Sequence, residues 1–111
     1  LRPLPGWPDG PLVLKPLGIS PIAGDFVSVC ASSTSDAEAQ HARSVAADGL
    51  VEDMETWSVA LACHLENIPL HALRAVSNRA GDRDHRRWRM DAAIEALRET
   101  LPVVIERLHR P

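Results

Sequence analysis

Two short stretches of this sequence carry side chains that could do chemistry. The first is VEDMETW, Val51–Trp57, which sets Glu52, Asp53 and Glu55 within four residues. Carboxylates this close repel one another unless something binds or solvates them. Two readings are open. Acids at a helix N-terminus complement the helix dipole. Alternatively, Glu55 accepts hydrogen bonds from the vicinal hydroxyls of a sugar while Met54 packs on its apolar face. The second stretch is RAVSN, Arg74–Asn78, an apolar run that ends by presenting the hydroxyl of Ser77 and the amide of Asn78. Both residue types also cap simple turns, and that reading stands beside the functional one.

Behind Asn78 comes a run of charge: Arg79, Arg83, Arg86, Arg87 and Arg89, interleaved with Asp82, Asp84 and His85. Mixed signs at this density form a solvated, ion-paired loop, where each exposed pair contributes roughly 0–1 kcal/mol. A nucleic-acid site would need aromatic platforms and a basic surplus. Trp88 is the only aromatic residue nearby, and the whole chain carries a net charge of −3. No nucleic-acid partner is expected. The five histidines show no HxxxH or HExxH spacing, so neither a metal nor another cofactor is expected.

The elements that must position these groups follow from the pattern. Residues 1–24 hold six of the nine prolines and four of the six glycines, which predicts an irregular connector with a short edge strand at Leu12–Lys15. DFVSVCA, Asp25–Ala31, is β-branched and short, a strand. Ser35 with Glu38 three residues on forms a capping box, and the helix it opens is expected to end near Gly49. LVEDME reads as a brief strand, TWSVALACHL as a helix stopping at Asn67 before Pro69, and LHALRAVS, Leu70–Ser77, as a third strand. From Asp91 to His109, Ile94, Leu97, Leu101, Val104, Ile105 and Leu108 share one helical stripe, with Pro102 expected to kink or divide it. Strand and helix alternate three times. That order predicts an α/β fold with a mostly parallel sheet, whose ligands bind beyond the carboxyl ends of the strands. Glu52–Glu55 and Ser77–Asn78 both fall there.

Composition bounds the rest. The chain has 111 residues, 45% apolar and 24% charged, enough for one domain with a modest core. No apolar run approaches a membrane span, and no membrane partner is expected. Cys30 and Cys63 lie far apart and read as small buried hydrophobes in a reduced, cytoplasmic compartment.

VEDME, a helix, NIP and then LRAVSN together resemble the purine nucleoside phosphorylase and nucleosidase superfamily. The continuation SNRAGDRDHRRWR is similar to the futalosine hydrolases within it, nucleosidases of an alternative menaquinone pathway. The resemblance runs from Asp25 to Leu108. It implies a three-layer α/β/α fold, of which this chain carries about the C-terminal half. It also implies a small-molecule purine nucleoside as ligand, and a homo-oligomer in the full-length form. By the same resemblance, Glu55 binds the ribose hydroxyls, Met54 packs beside the ribose, Ser77 lines the crevice and Asn78 contacts the five-membered ring of the purine. Adenine-releasing members carry aspartate at that last position. An amide cannot donate an acid proton, but its N–H groups suit the acceptors of a 6-oxopurine. Hypoxanthine, the base of futalosine, is such a purine. Residues 24–34 fall where family members line the base pocket, which makes Phe26 a candidate there and a core role its alternative. Arg83 and Arg86 are candidates for the carboxylate at futalosine's benzoate end, since guanidinium matches a carboxylate fork.

The chain also departs from the pattern. MET stands where the family has MEG or MEA, so Thr56 is expected to add bulk beside the ribose. The acid that orients the attacking water belongs to the family's N-terminal half, which does not resemble anything before Asp25. The expectation is therefore a fragment of an N-glycosidic hydrolase. Other purine nucleosidases or phosphorylases, and a truncated nucleoside-binding chain, are the alternatives.

Overall fold

The computed structural model describes residues 5–18, 23–45 and 49–110. Among them the chain forms two strands, three α-helices and one short 3-10 turn. Strand β1 (Asp25–Ser28) leads into helix α1 (Asp36–Ser44), strand β2 (Gly49–Asp53) and helix α2 (Thr56–Leu65). After a long irregular segment and a turn at His85–Arg87, helix α3 (Met90–His109) closes the chain.

β1 and β2 pair in parallel, with Phe26 opposite Val51, Val27 opposite Glu52 and Ser28 opposite Asp53. Parallel neighbours need a crossover, and α1 supplies it. Ser35 caps α1 by accepting from the Glu38 N–H at 3.2 Å. The return half of the capping box lands one residue earlier than the sequence implies: Glu38 accepts from both the N–H and the hydroxyl of Thr34. Asp36 and Glu38 in the first turn and Arg43 in the last complement the helix dipole.

Several boundaries differ from expectation. α1 ends at Ser44, and Gly49 opens β2 instead of capping the helix. β1 stops at Ser28, so Cys30 lies exposed in the following loop rather than buried in a strand. The runs at Leu12–Lys15 and Leu70–Ser77 form no ladder. One bond joins them, from the Lys15 N–H to the Leu70 carbonyl at 2.9 Å. A single bond does not make a strand, which requires a continuous neighbour. α3 continues through Pro102. The proline lies on an exposed part of the helix, where water can satisfy the carbonyl that loses its donor.

The described residues enclose very little core. Ala60 and Val104 are its buried apolar side chains. Trp57, Val59, Ile94, Leu101 and Ile105 remain about half exposed. The molecule measures 45 × 42 × 19 Å, a thin slab with helix faces left uncovered. Apolar patches of this kind drive association. In size-exclusion chromatography the isolated chain is expected to elute as an oligomer or aggregate. A monomer with a sharp unfolding transition would contradict that expectation. No helix among the described residues is long and apolar enough to cross a membrane.

Candidate functional site

The carboxyl ends of β1 and β2 meet the N-terminus of α2, and the polar side chains there form one network. An α-helix begins with N–H groups that lack intrahelical partners. In α2 two of these are met by residues outside the helix. The Thr56 N–H donates to Asp53 Oδ1 at 3.3 Å, and the Trp57 N–H donates to Ser28 Oγ at 2.9 Å. Ser28 Oγ in turn donates to Asp53 Oδ1 at 2.7 Å. Thr56 Oγ donates to Asp53 Oδ2. Asp53 therefore does the capping that the sequence left open among three acids, and Glu55 makes no capping bond.

The acids divide by partner. Glu52 turns to the loop after β1, accepting from the Ser33 N–H at 2.8 Å and the Ser33 hydroxyl at 2.6 Å. The Asp53 side chain is 7% exposed and pairs with Arg74. The Glu55 side chain is 64% exposed. Its Oε2 accepts from Arg74 Nη2 and from the Met54 N–H, both at 3.2 Å. Its Oε1 accepts from nothing among the described residues. The arrangement is a tethered carboxylate with one free oxygen, flanked by the exposed side chain of Met54.

Arg74 is the residue of this network that motif reading passed over. A lone guanidinium inside an apolar run needs an acid partner, and that signal was available in LHALRAVS. It also links the two motifs. Arg74 comes from the segment leading to Ser77 and Asn78, so its contacts bring that segment alongside the end of β2. Ser77 and Asn78 are half-buried. Asn78 Oδ1 accepts from Ser77 Oγ at 2.7 Å, and Asn78 Nδ2 donates to the Arg79 carbonyl at 3.1 Å. One amide proton stays available for a ligand. Thr56 does not intrude on the site as expected. It is buried, with its hydroxyl turned into the Asp53 and Arg74 network.

Burial alone would raise the Asp53 carboxyl. Hydrogen bonds from Thr56 and Ser28, and the Arg74 charge, outweigh it and hold the group below its ordinary value. A depressed native pKa stabilises the fold above the unfolded value, about 3.9, and that contribution is lost as pH falls through the native one. Asp53→Asn is expected to lower the urea midpoint at pH 7. Its gap from the native chain should narrow steadily below about pH 4.

The charged loop sorts itself in the same way. Arg87 forks onto Asp82, with Nε and Nη2 each 2.9 Å from a carboxylate oxygen. Arg86 forks onto Asp84 through Nε at 2.9 Å and Nη2 at 2.8 Å. Its Asp84 partner is held below the usual carboxylate range, chiefly by those bonds. Arg86, a candidate from sequence, thus already has its carboxylate. Arg83 does not: its one bond among the described residues is to the neutral Ser32 hydroxyl at 3.3 Å. The loop is pressed against the start of α1. Gly81 has φ +88°, and a Cβ there would lie 2.5 Å from the Ser35 carbonyl oxygen, so no other residue fits. The far end of the loop returns to the site, where the Arg89 N–H donates to the Ser77 carbonyl at 2.6 Å. Phe26 stays within β1, half-buried and opposite Val51, two residues short of the strand's carboxyl end. A separate cavity lies elsewhere. It measures about 500 Å³ and is lined by Leu12–Pro16, Cys63, His64 and Leu70. It touches neither motif.

Futalosine hydrolase from Acidothermus cellulolyticus is 34% identical over 84 residues, 76% of this chain and 34% of that protein. Futalosine hydrolase from Streptomyces coelicolor is 42% identical over 52 residues, 47% of this chain and 22% of that protein. The chain thus matches about a third of the length of the first relative and about a fifth of the second. No solved structure matches it significantly. Residues 20–110 match the Phosphorylase superfamily, a span that takes in both strands, all three helices and both motifs, and the chain belongs to that superfamily.

Proposed function

We propose that Glu55 and Asn78 together bind a 6-oxopurine ribonucleoside, and that the chain is part of a nucleosidase that hydrolyses futalosine. The observation carrying this reading is the division among the acids. Asp53 caps α2 and holds Arg74, which leaves Glu55 tethered with an open oxygen at the strand ends. A group so placed is suited to the hydroxyls of a sugar. The reaction breaks the bond between the anomeric carbon and the purine nitrogen. The oxygen of water bonds to that carbon, and the water proton passes to the departing base. Glu55 holds the ribose as it flattens toward an oxocarbenium ion. Asn78 donates a hydrogen bond to the base as negative charge develops on it. The futalosine hydrolase relatives support the choice of substrate.

The test is release of hypoxanthine from futalosine and from inosine, with and without phosphate. Phosphate-independent release from futalosine supports the reading. Release that requires phosphate would replace it with phosphorolysis. Futalosine carries a benzoate-bearing extension that inosine lacks, with its carboxylate remote from the scissile bond, and Arg83, like Arg89, is a loop guanidinium without an acid partner among the described residues. Arg83→Ala is expected to raise KM for futalosine about tenfold, the loss of one charge-assisted hydrogen bond, and to leave inosine unchanged. Arg86→Ala should do far less. Equal effects of Arg83→Ala on both substrates would remove Arg83 from the site.

A further inference from the structure

We propose that Thr56 and Asp53 are positioning residues for Glu55, acting through Arg74. The inference gains its functional meaning from the reading of Glu55 as the sugar-binding group, but its geometry stands independently. Arg74 Nη2 lies 3.2 Å from each of three oxygens: Asp53 Oδ2, Glu55 Oε2 and Thr56 Oγ1. A carboxylate offers about four acceptor sites. Asp53 uses three of its own on its neighbours: Oδ1 accepts from the Ser28 hydroxyl and the Thr56 N–H, and Oδ2 from the Thr56 hydroxyl. Oδ2 also lies 3.2 Å from Arg74 Nη2 as an ion pair. With its side chain 7% exposed, Asp53 is turned to these neighbours, and its effect is to fix what it holds.

Thr56 is the pivot. Its hydroxyl proton points to Asp53, which turns the oxygen's lone pairs toward Arg74. The guanidinium is then gripped from two sides, and Glu55 is the third group it touches. Without the hydroxyl, Arg74 keeps one buried anchor and can swing away from Glu55. Glycine or alanine at this position would supply no such grip. The threonine that breaks the MEG or MEA pattern thus has a definite use in this chain, and serine is the one common replacement that retains the short hydroxyl.

NMR on the active protein, with its native sequence and with Thr56→Val, Thr56→Ser or Asp53→Asn, tests this. In the native protein, the Arg74 Nη protons are expected to be resolved, with cross-peaks to the Glu55 γ protons and to Thr56. Thr56→Ser should keep the Glu55 cross-peaks. Thr56→Val and Asp53→Asn should lose them while the α2 amide signals persist. A merely structural threonine would not give that split between serine and valine. Native cross-peaks that are absent would overturn the proposal whatever the variants do. Their survival in Thr56→Val would overturn it too. Inosine titrated into the same samples and read at the Met54 methyl separates the two ideas. No binding to the native protein defeats the sugar-site reading while leaving the clamp intact. If both hold, Thr56→Val weakens inosine binding about tenfold and Thr56→Ser does not.

Discussion

In the active protein, replacing Glu55 with alanine is expected to lower kcat/KM for ribonucleoside hydrolysis by about 10²–10⁴. A ribose diol makes two hydrogen bonds to the carboxylate, and each charge-assisted bond of this kind contributes about 1.5–3 kcal/mol. Tenfold in rate corresponds to about 1.4 kcal/mol, which sets that range. The fold should not suffer. Glu55 is exposed and makes no capping bond to α2, because Asp53 and Ser28 meet the free N–H groups there. Glu55→Gln separates charge from shape. It keeps one acceptor oxygen and should lose less than alanine does. The sharpest control is a substrate without the hydroxyls. On 2′,3′-dideoxyinosine the native and Glu55→Ala proteins should differ little. A full loss on that substrate would show that Glu55 acts elsewhere than on the ribose.

The second large effect is a change in which base departs. Asn78→Asp is expected to shift the ratio of inosine to adenosine hydrolysis toward adenosine by about 100-fold, from one hydrogen bond lost on one base and one gained on the other. The asparagine amide already uses its oxygen on Ser77 and one proton on the Arg79 carbonyl. The remaining proton suits an acceptor on a 6-oxopurine. An aspartate has no proton to offer when ionised, and repels charge developing on hypoxanthine. When protonated, it can deliver its proton to a purine nitrogen of adenine. Adenosine hydrolysis by the variant should accordingly fall as pH rises through the pKa of the new carboxyl. The native protein has no such group at this position and should lack that limb. Unchanged base preference in Asn78→Asp, measured as kcat/KM for each nucleoside, would place the base away from Asn78.

Much of the site could be read from local pattern, and the remainder could not for physical reasons. VEDMET and RAVSN stood out because strand ends in α/β proteins are where polar groups collect. Ser35 and Glu38 announced a helix start because capping is a contact between near neighbours. Which acid would cap α2 was not legible. Glu52, Asp53 and Glu55 are chemically alike, and the choice was made by Ser28, twenty-five positions before Asp53. The arginine loop presents the same case. Its composition correctly implied ion pairing, but only geometry separates Arg86 and Arg87, which have forks, from Arg83, which has a neutral hydroxyl. The third expected strand failed similarly. LHALRAVS has strand composition, yet a ladder depends on a neighbour that sequence pattern does not supply. Pro102 carried a real local penalty, and the exposed side of α3 absorbed it.

Thr56 is the residue whose meaning changed most. As a departure from the family pattern it looked like an obstruction beside the sugar. Within the structure it is a buried hydroxyl that joins Asp53 to Arg74.

The central claim is that the nucleoside sits between Glu55 and Asn78. The most direct measurement is inosine titrated into isotope-labelled chain, with side-chain and backbone signals followed residue by residue. The Asn78 side-chain amide, the Ser77 N–H and the Met54 methyl are expected to shift first and saturate together. Shifts confined to the cavity beside Lys15, Cys63 and His64, or no saturable shift at Asn78, would contradict it.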